Sequence, residues 1–192
     1  MNGTIPQPSD PDNSATRPLT VDLRKLSETM YQTMRAVGGG MMKHEDRDHL
    51  LSPTALVGAA IERMLENDQS RFNDRSHLLA AAAIAMRRVL VEHARSENCV
   101  KRGGGRGRTS WEDVVHAVST REDPLLVIAI DEAIDALSRE DDRYGRIVEM
   151  RLFGALNNPE IAHVLGVSLS TIEKDWKYVR SKLLTMLALV RE

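Results

Sequence analysis

Apolar positions along this chain recur at three- and four-residue intervals, and no stretch of useful length alternates with the period of two that a strand requires. The segment "SPTALVGAAIERML" shows the pattern. Ser52 is a good N-cap, Pro53 suits the first helical position, and Leu56, Ala60 and Met64 then form a buried stripe. "NDRSHLLAAAAIAMRRVLVEHAR" predicts a second long helix with Leu79, Ala82, Met86, Val89 and His93 along one face, its alanines permitting close helix approach. "PLLVIAIDEAIDALS" puts Leu126, Ile130, Ile134 and Leu137 on one side, and "DRYGRIVEMRLF" offers Tyr144, Ile147, Val148, Met150 and Phe153 to a core. An earlier helix is predicted over about 20–36. It stops at Gly38-Gly39-Gly40, because glycine costs about 1 kcal/mol per position in a helix.

Other segments lack this periodicity. Residues 1–18 hold four of the seven prolines and read as a disordered tail. "SENCVKRGGGRGRTS" is basic and glycine-rich and reads as a flexible linker. The predicted fold class is therefore all-α. Two small helical domains, 19–97 and 122–192, are joined by a flexible basic linker over 98–121, within which "WEDVVHAVS" is a candidate short helix without a functional reading. Composition agrees: hydrophobic residues make up 42% and aromatics only 4%, so aliphatic side chains do the packing. The single Cys99 forms no internal disulfide, which fits a reducing cytoplasm. The N-terminus has no basic region followed by an apolar run. "LLAAAAIAM" falls far short of the ~20 apolar residues of a membrane span. The expected location is the cytoplasm.

"NNPEIAHVLGVSLSTIEKDW" carries the candidate chemistry. Asn158 is expected to cap a short helix that starts at Pro159, turns Ile161, Ala162 and Leu165 inward, and ends at a left-handed Gly166. Ser168 or Ser170 then caps a second helix with a buried stripe of Ile172, Trp176, Val179 and Leu183. The turn between them has the length of a helix-turn-helix, the C-terminal domain's expected motif. The outer side of the second helix bears Thr171, Lys174, Lys177 and, at its edge, Arg180, donors suited to phosphates and base edges. Glu173 and Asp175 would repel phosphate unless they face elsewhere or accept from a base amine. Charged outer faces are common on helical hairpins that never touch DNA, so the hairpin alone leaves the question open.

Charge distribution adds to the picture. The net charge of −2 hides a segregation: residues 87–108 carry +5 and residues 121–149 carry −5. A basic helix end that runs into a basic linker is an electrostatic footprint for nucleic acid.

Taken in order, "SPTALVGAAIERML", "AAAAIAMRRVLVEHARS", "KRGGGR" and "IVEMRLFGALNNPEIAHVLGVSLSTIEKDWKYVRSKL" resemble bacterial sigma factors. The likeness is to the small extracytoplasmic-function type, in its alanine-rich branch with "AMRR" and "RDW"-like signatures, and covers about residues 20–190. It implies a non-catalytic subunit that directs promoter recognition, promoter opening and transcription initiation. The first domain would dock on the β′ clamp helices of core RNA polymerase and open the minus-ten element. The second would read the minus-thirty-five element and meet the β flap. An anti-sigma factor is a further implied partner, and no membrane, metal or other cofactor is implied. Carried over by position, the polymerase-binding residues are Leu56, Ala60, Glu62 and Arg63. Arg87, Arg88 and Arg95 would serve the minus-ten element, with Glu92 beside them in "EHAR". Ser170, Thr171, Glu173, Lys174, Lys177 and Arg180 would form the recognition face. Two departures stand out. Gly58-Ala59-Ala60 replaces the usual acidic position after "ALV", and the triple glycine interrupts a region where relatives carry a longer helix.

Enzymatic readings find little support. "RGGGRGRTS" lacks the spacing of a phosphate-binding loop, and no hydrophobic strand precedes it. The six histidines are scattered, with no His-x-x-x-His pair and no carboxylate at ligand spacing. Cys99 lies beside basic residues in the linker and reads as incidental. A stand-alone dimeric helix-turn-helix regulator is the alternative, but it would need a dimer or sensor interface where the chain matches a promoter-melting helix. An anti-sigma factor or purely structural adaptor would leave both basic patches unexplained.

Overall fold

Ser52 opens the first long helix as its sequence suggests: its hydroxyl accepts from the Ala55 N–H at 3.1 Å, and Pro53 follows as the first helical residue. The computed structural model describes residues 21–22, 31–32, 34–36, 52–67, 71–98, 110–120 and 124–190. The tail, the triple glycine and residues 99–109 lie outside the described residues. Residues 31–32 and 34–36 are helical (α1). They are followed by α2 (Pro53–Glu66), α3 (Arg75–Asn98), α4 (Trp111–Thr120), α5 (Pro124–Glu140), α6 (Asp142–Leu152), α7 (Asn158–Leu165) and α8 (Leu169–Val190). Among the described residues the fold is all-α apart from a two-residue antiparallel ladder. In it β1 (Val21–Asp22) pairs with β2 (Arg71–Phe72), in register Val21 with Phe72. The helix expected from about residue 20 therefore begins later. Backbone pairing with a segment remote in sequence leaves no local periodicity to read.

The candidate short helix forms, and one further boundary differs from expectation. Within the segment read as linker, residues 111–120 form α4. Ser110 and Asp113 cap it reciprocally, the Ser110 hydroxyl accepting from the Asp113 N–H at 3.0 Å and the Asp113 carboxylate from the Ser110 N–H at 2.7 Å. Val114 seals it to the core. Asn157, not Asn158, caps α7. Its side chain accepts from the Glu160 N–H at 3.0 Å while Glu160 accepts from the Asn157 N–H at 2.9 Å. That reciprocal pair fixes the cap three residues before Glu160, so Pro159 takes the second helical position.

Gly166 ends α7 at φ 66°, in the left-handed region, and the Val167 N–H returns to the Ala162 carbonyl at 3.1 Å. Ser168 then caps α8 through the Thr171 N–H at 3.1 Å. The turn that joins α7 to α8 is three residues long, as its sequence suggests.

The expected stripes of α2, α5 and α6 are buried, Tyr144 alone remaining half-exposed. In α3 burial goes further. Leu79, Ala82 and Met86 face inward, but so do Leu78, Ala83, Leu90, Val91 and Ala94. The reason is that α3 packs against α2 on one side and against α5, α6 and α7 on others. Among the described residues one contiguous apolar cluster runs from Met34 and Leu56 through Leu90 to Ile172 and Leu187. The two halves of the chain share it.

Polar contacts tie the same halves together. Arg75 at the start of α3 reaches Glu160 of α7 at 3.0 Å. Beside it, Asp74 Oδ2 lies 2.9 Å from His77 Nδ1 and 2.6 Å from Nε2 of His163, again on α7. Partial burial alone would raise the Asp74 carboxyl. The hydrogen bonds from His163 and from the backbone and ring of His77 outweigh it and hold the group at about 2. Asp74-x-x-His77 is a carboxylate at ligand spacing that the reading of scattered histidines overlooked, and His163 joins it only through the fold.

Candidate nucleic-acid interface

Helix α8 divides its residues by face. Ile172, Val179, Leu183 and Leu187 are fully buried, while Ser170, Glu173, Lys174, Lys177 and Arg180 are exposed and Thr171 is half-buried. At 3.6 residues per turn, Ser170, Glu173, Lys174 and Lys177 share roughly a third of the circumference, with Arg180 at its edge. The Ser168 hydroxyl sits 2.9 Å from that of Ser170 and 2.8 Å from that of Thr171, so hydroxyls crowd the first turn. The two acidic residues separate. Asp175 turns inward, 8% exposed, and accepts from Arg143 Nε of α6 at 2.8 Å, whereas Glu173 stays on the outer face.

Trp176 flanks the buried stripe rather than filling it. It meets Trp111 of α4 edge-to-face at 5.0 Å between centroids, and the Arg151 guanidinium lies over it at 4.8 Å. Arg180 lies over Trp111 at 5.8 Å. α4 is thus seated against the helix that carries the basic face, and it holds the edge cation Arg180 by a cation–π contact.

The first-half candidates are placed unequally. Arg88 and Arg95 are exposed, Arg95 reaching Asp131 at 3.1 Å. Arg87 is only 9% exposed and faces the second half of the chain. Its Nε donates to Asp131 at 2.8 Å, and its terminal nitrogens donate to Glu149 at 2.6 Å, to Asp135 at 2.5 Å and to the Asp131 carbonyl at 3.0 Å. Burial alone would depress this guanidinium. The hydrogen bonds to Asp135 and Glu149 and the charges of Glu149 and Asp131 hold it above its ordinary value. In this arrangement Arg87 is out of reach of DNA.

Of the polymerase-facing candidates, Leu56 and Ala60 are fully buried, because the four-residue spacing that marks them is the core stripe of α2. They can support a docking surface but not contact a partner. Glu62 is exposed, and Arg63 is half-buried with a 2.7 Å ion pair to Glu92. Sequence reasoning missed Asp131, Asp135 and Glu149 as partners of Arg87. The opposed charges of residues 87–108 and 121–149 were the available signal.

These features belong together: a short capped turn, a long helix with a basic outer face, and a preceding alanine-rich helix carrying an arginine cluster. A family model described as ECF sigma factor matches residues 21–188. Comparison with curated proteins gives no match, and neither does comparison with solved structures. No helix among the described residues is long and apolar enough to cross a membrane. With all but the two ends of its sequence covered by that match, the chain belongs to the ECF sigma factor family, whose members direct transcription initiation.

Proposed function

We propose that this sigma factor reads the upstream promoter element with the outer face of α8 and docks on the β′ clamp helices of core polymerase through the exposed surface around Glu62. It melts the minus-ten element with Arg88, Arg95 and, once the two halves part, Arg87. It supplies no chemistry of its own and leaves RNA synthesis to the polymerase. The observation that carries the reading is the division of α8. Ile172, Val179 and Leu183 anchor it, Asp175 is neutralised inside by Arg143, and Lys174 and Lys177 are left outward with Glu173 beside them. Lysines suit phosphates, whereas a carboxylate cannot favour phosphate but can accept from a cytosine amine.

Holoenzyme binding to single-base variants of the upstream element, at several salt concentrations, tests this. Lys177→Ala is expected to weaken binding to every variant alike and to reduce the salt slope by about 0.9. Glu173→Ala is expected to cost about 1–3 kcal/mol of discrimination at one position and leave the slope unchanged. Equal effects of both on every variant, at constant slope, would make α8 an ordinary bundle helix.

A further inference from the structure

The Asp74, His77 and His163 side chains meet where the start of α3 faces α7, and their ligand atoms all lie within 4.8 Å of one another. Each half of the chain contributes. Asp74 uses Oδ1 to cap α3, accepting from the His77 N–H at 3.1 Å, which fixes the carboxylate and leaves Oδ2 directed at both imidazoles. Arg75, the next residue, holds Glu160 of α7 at 3.0 Å and keeps the two helix starts in register. The imidazoles stand at 79° to one another, 5.3 Å apart, so the rings do not stack, and His77 Nδ1 and His163 Nε2 both face the same carboxylate oxygen.

Two neutral imidazoles and one carboxylate form a donor set that borderline divalent ions favour and hard ions such as Mg2+ do not. Metal bonds of 2.0–2.1 Å place tetrahedral ligand atoms about 3.3 Å apart. The present separations from Oδ2, 2.9 and 2.6 Å, need to open by only about half an ångström for an ion of this size. All three side chains retain solvent access, which gives an ion an entry path and room for a water as fourth ligand.

We propose that Asp74, His77 and His163 bind one divalent ion of the zinc class, which fastens α7 to α3 and so clasps the two halves of the chain together. The ion would take the place of the protons that now bridge the imidazoles to Asp74.

Titration of the free full-length chain with Zn2+, and with Co2+ as a spectroscopic probe, tests the site without polymerase or DNA, so its outcome is independent of the promoter reading. One ion per chain is expected. Co2+ should give visible ligand-field bands without a thiolate charge-transfer band, and Zn2+ should raise the melting temperature. His163→Gln, at an exposed position, is expected to weaken binding about tenfold or more and to abolish the thermal shift. Asp74→Asn preserves a good cap while removing the anionic ligand, and should do the same. The proposal is overturned if the wild-type chain binds no stoichiometric Zn2+, if Mg2+ binds as tightly, if both variants bind as the wild type does, or if Cys99→Ser is the change that abolishes binding.

Discussion

Arg87 shows how strongly one residue can hold two halves of a chain together. A guanidinium presents a planar fork of donors, and here the fork is spread over Asp131 and Asp135 of α5 and Glu149 of α6. Arg87→Ala leaves the buried Glu149 without its cation and Asp131 with only the exposed Arg95, and the expected loss is about 3–5 kcal/mol of unfolding free energy in urea titration. Arg87→Lys should recover only part of this, because a compact ammonium has three donors where the guanidinium fork makes four spread hydrogen bonds. None of this was legible from the residue itself. Arg87 stood in a helix that resembles a promoter-melting element, and nothing local distinguishes an arginine kept for DNA from one committed to a carboxylate cluster. Trp176 was nearer to legible. Its spacing from Ile172 and Val179 put it toward the interior, but Trp111, its ring partner, sits in a short helix whose pattern says nothing of where it packs.

At the scale of elements, periodicity identified α2, α3, α5, α6, α7 and α8, since each has an apolar stripe that packing rewards. It failed where structure depends on remote pairing, as at β1 and β2. The crossing of α5 and α6 adds a constraint that no stripe reveals. A Cβ on Gly145 would collide with the Ser138 hydroxyl and lie 3.1 Å from the Ile134 carbonyl oxygen, so the glycine sets how closely these helices approach. Gly145→Ala is expected to destabilise the protein by about 1–3 kcal/mol, read as a lowered denaturation midpoint. Ser138→Ala in the same chain should return part of that loss by removing the hydroxyl. It should not return all of it, because the carbonyl contact remains.

For the whole molecule, the segregation of charge was legible but its destination was not. The +5 segment read as a nucleic-acid footprint, yet its Arg87 and Arg95 close onto Asp131, Asp135 and Glu149 of the −5 segment. Complementary charge within one chain finds its partner at the concentration that the chain itself imposes. Trypsin cleavage within 99–109, where Lys101, Arg102, Arg106 and Arg108 offer sites, should therefore leave two fragments that co-elute on size-exclusion chromatography, because α3 shares its core with α5, α6 and α7. Separate elution would mean that the shared apolar surface is too weak to hold without the covalent connection. The burial of α3 has a further consequence for regulation. To any partner that requires the Arg87 side of α3, the second half of the chain is a competitive ligand that dilution cannot remove. The partner's apparent affinity equals its intrinsic affinity multiplied by the fraction of chains that are open. Each 1.4 kcal/mol added to or taken from that closure would shift the partner's working range tenfold, with no change in the surface it touches.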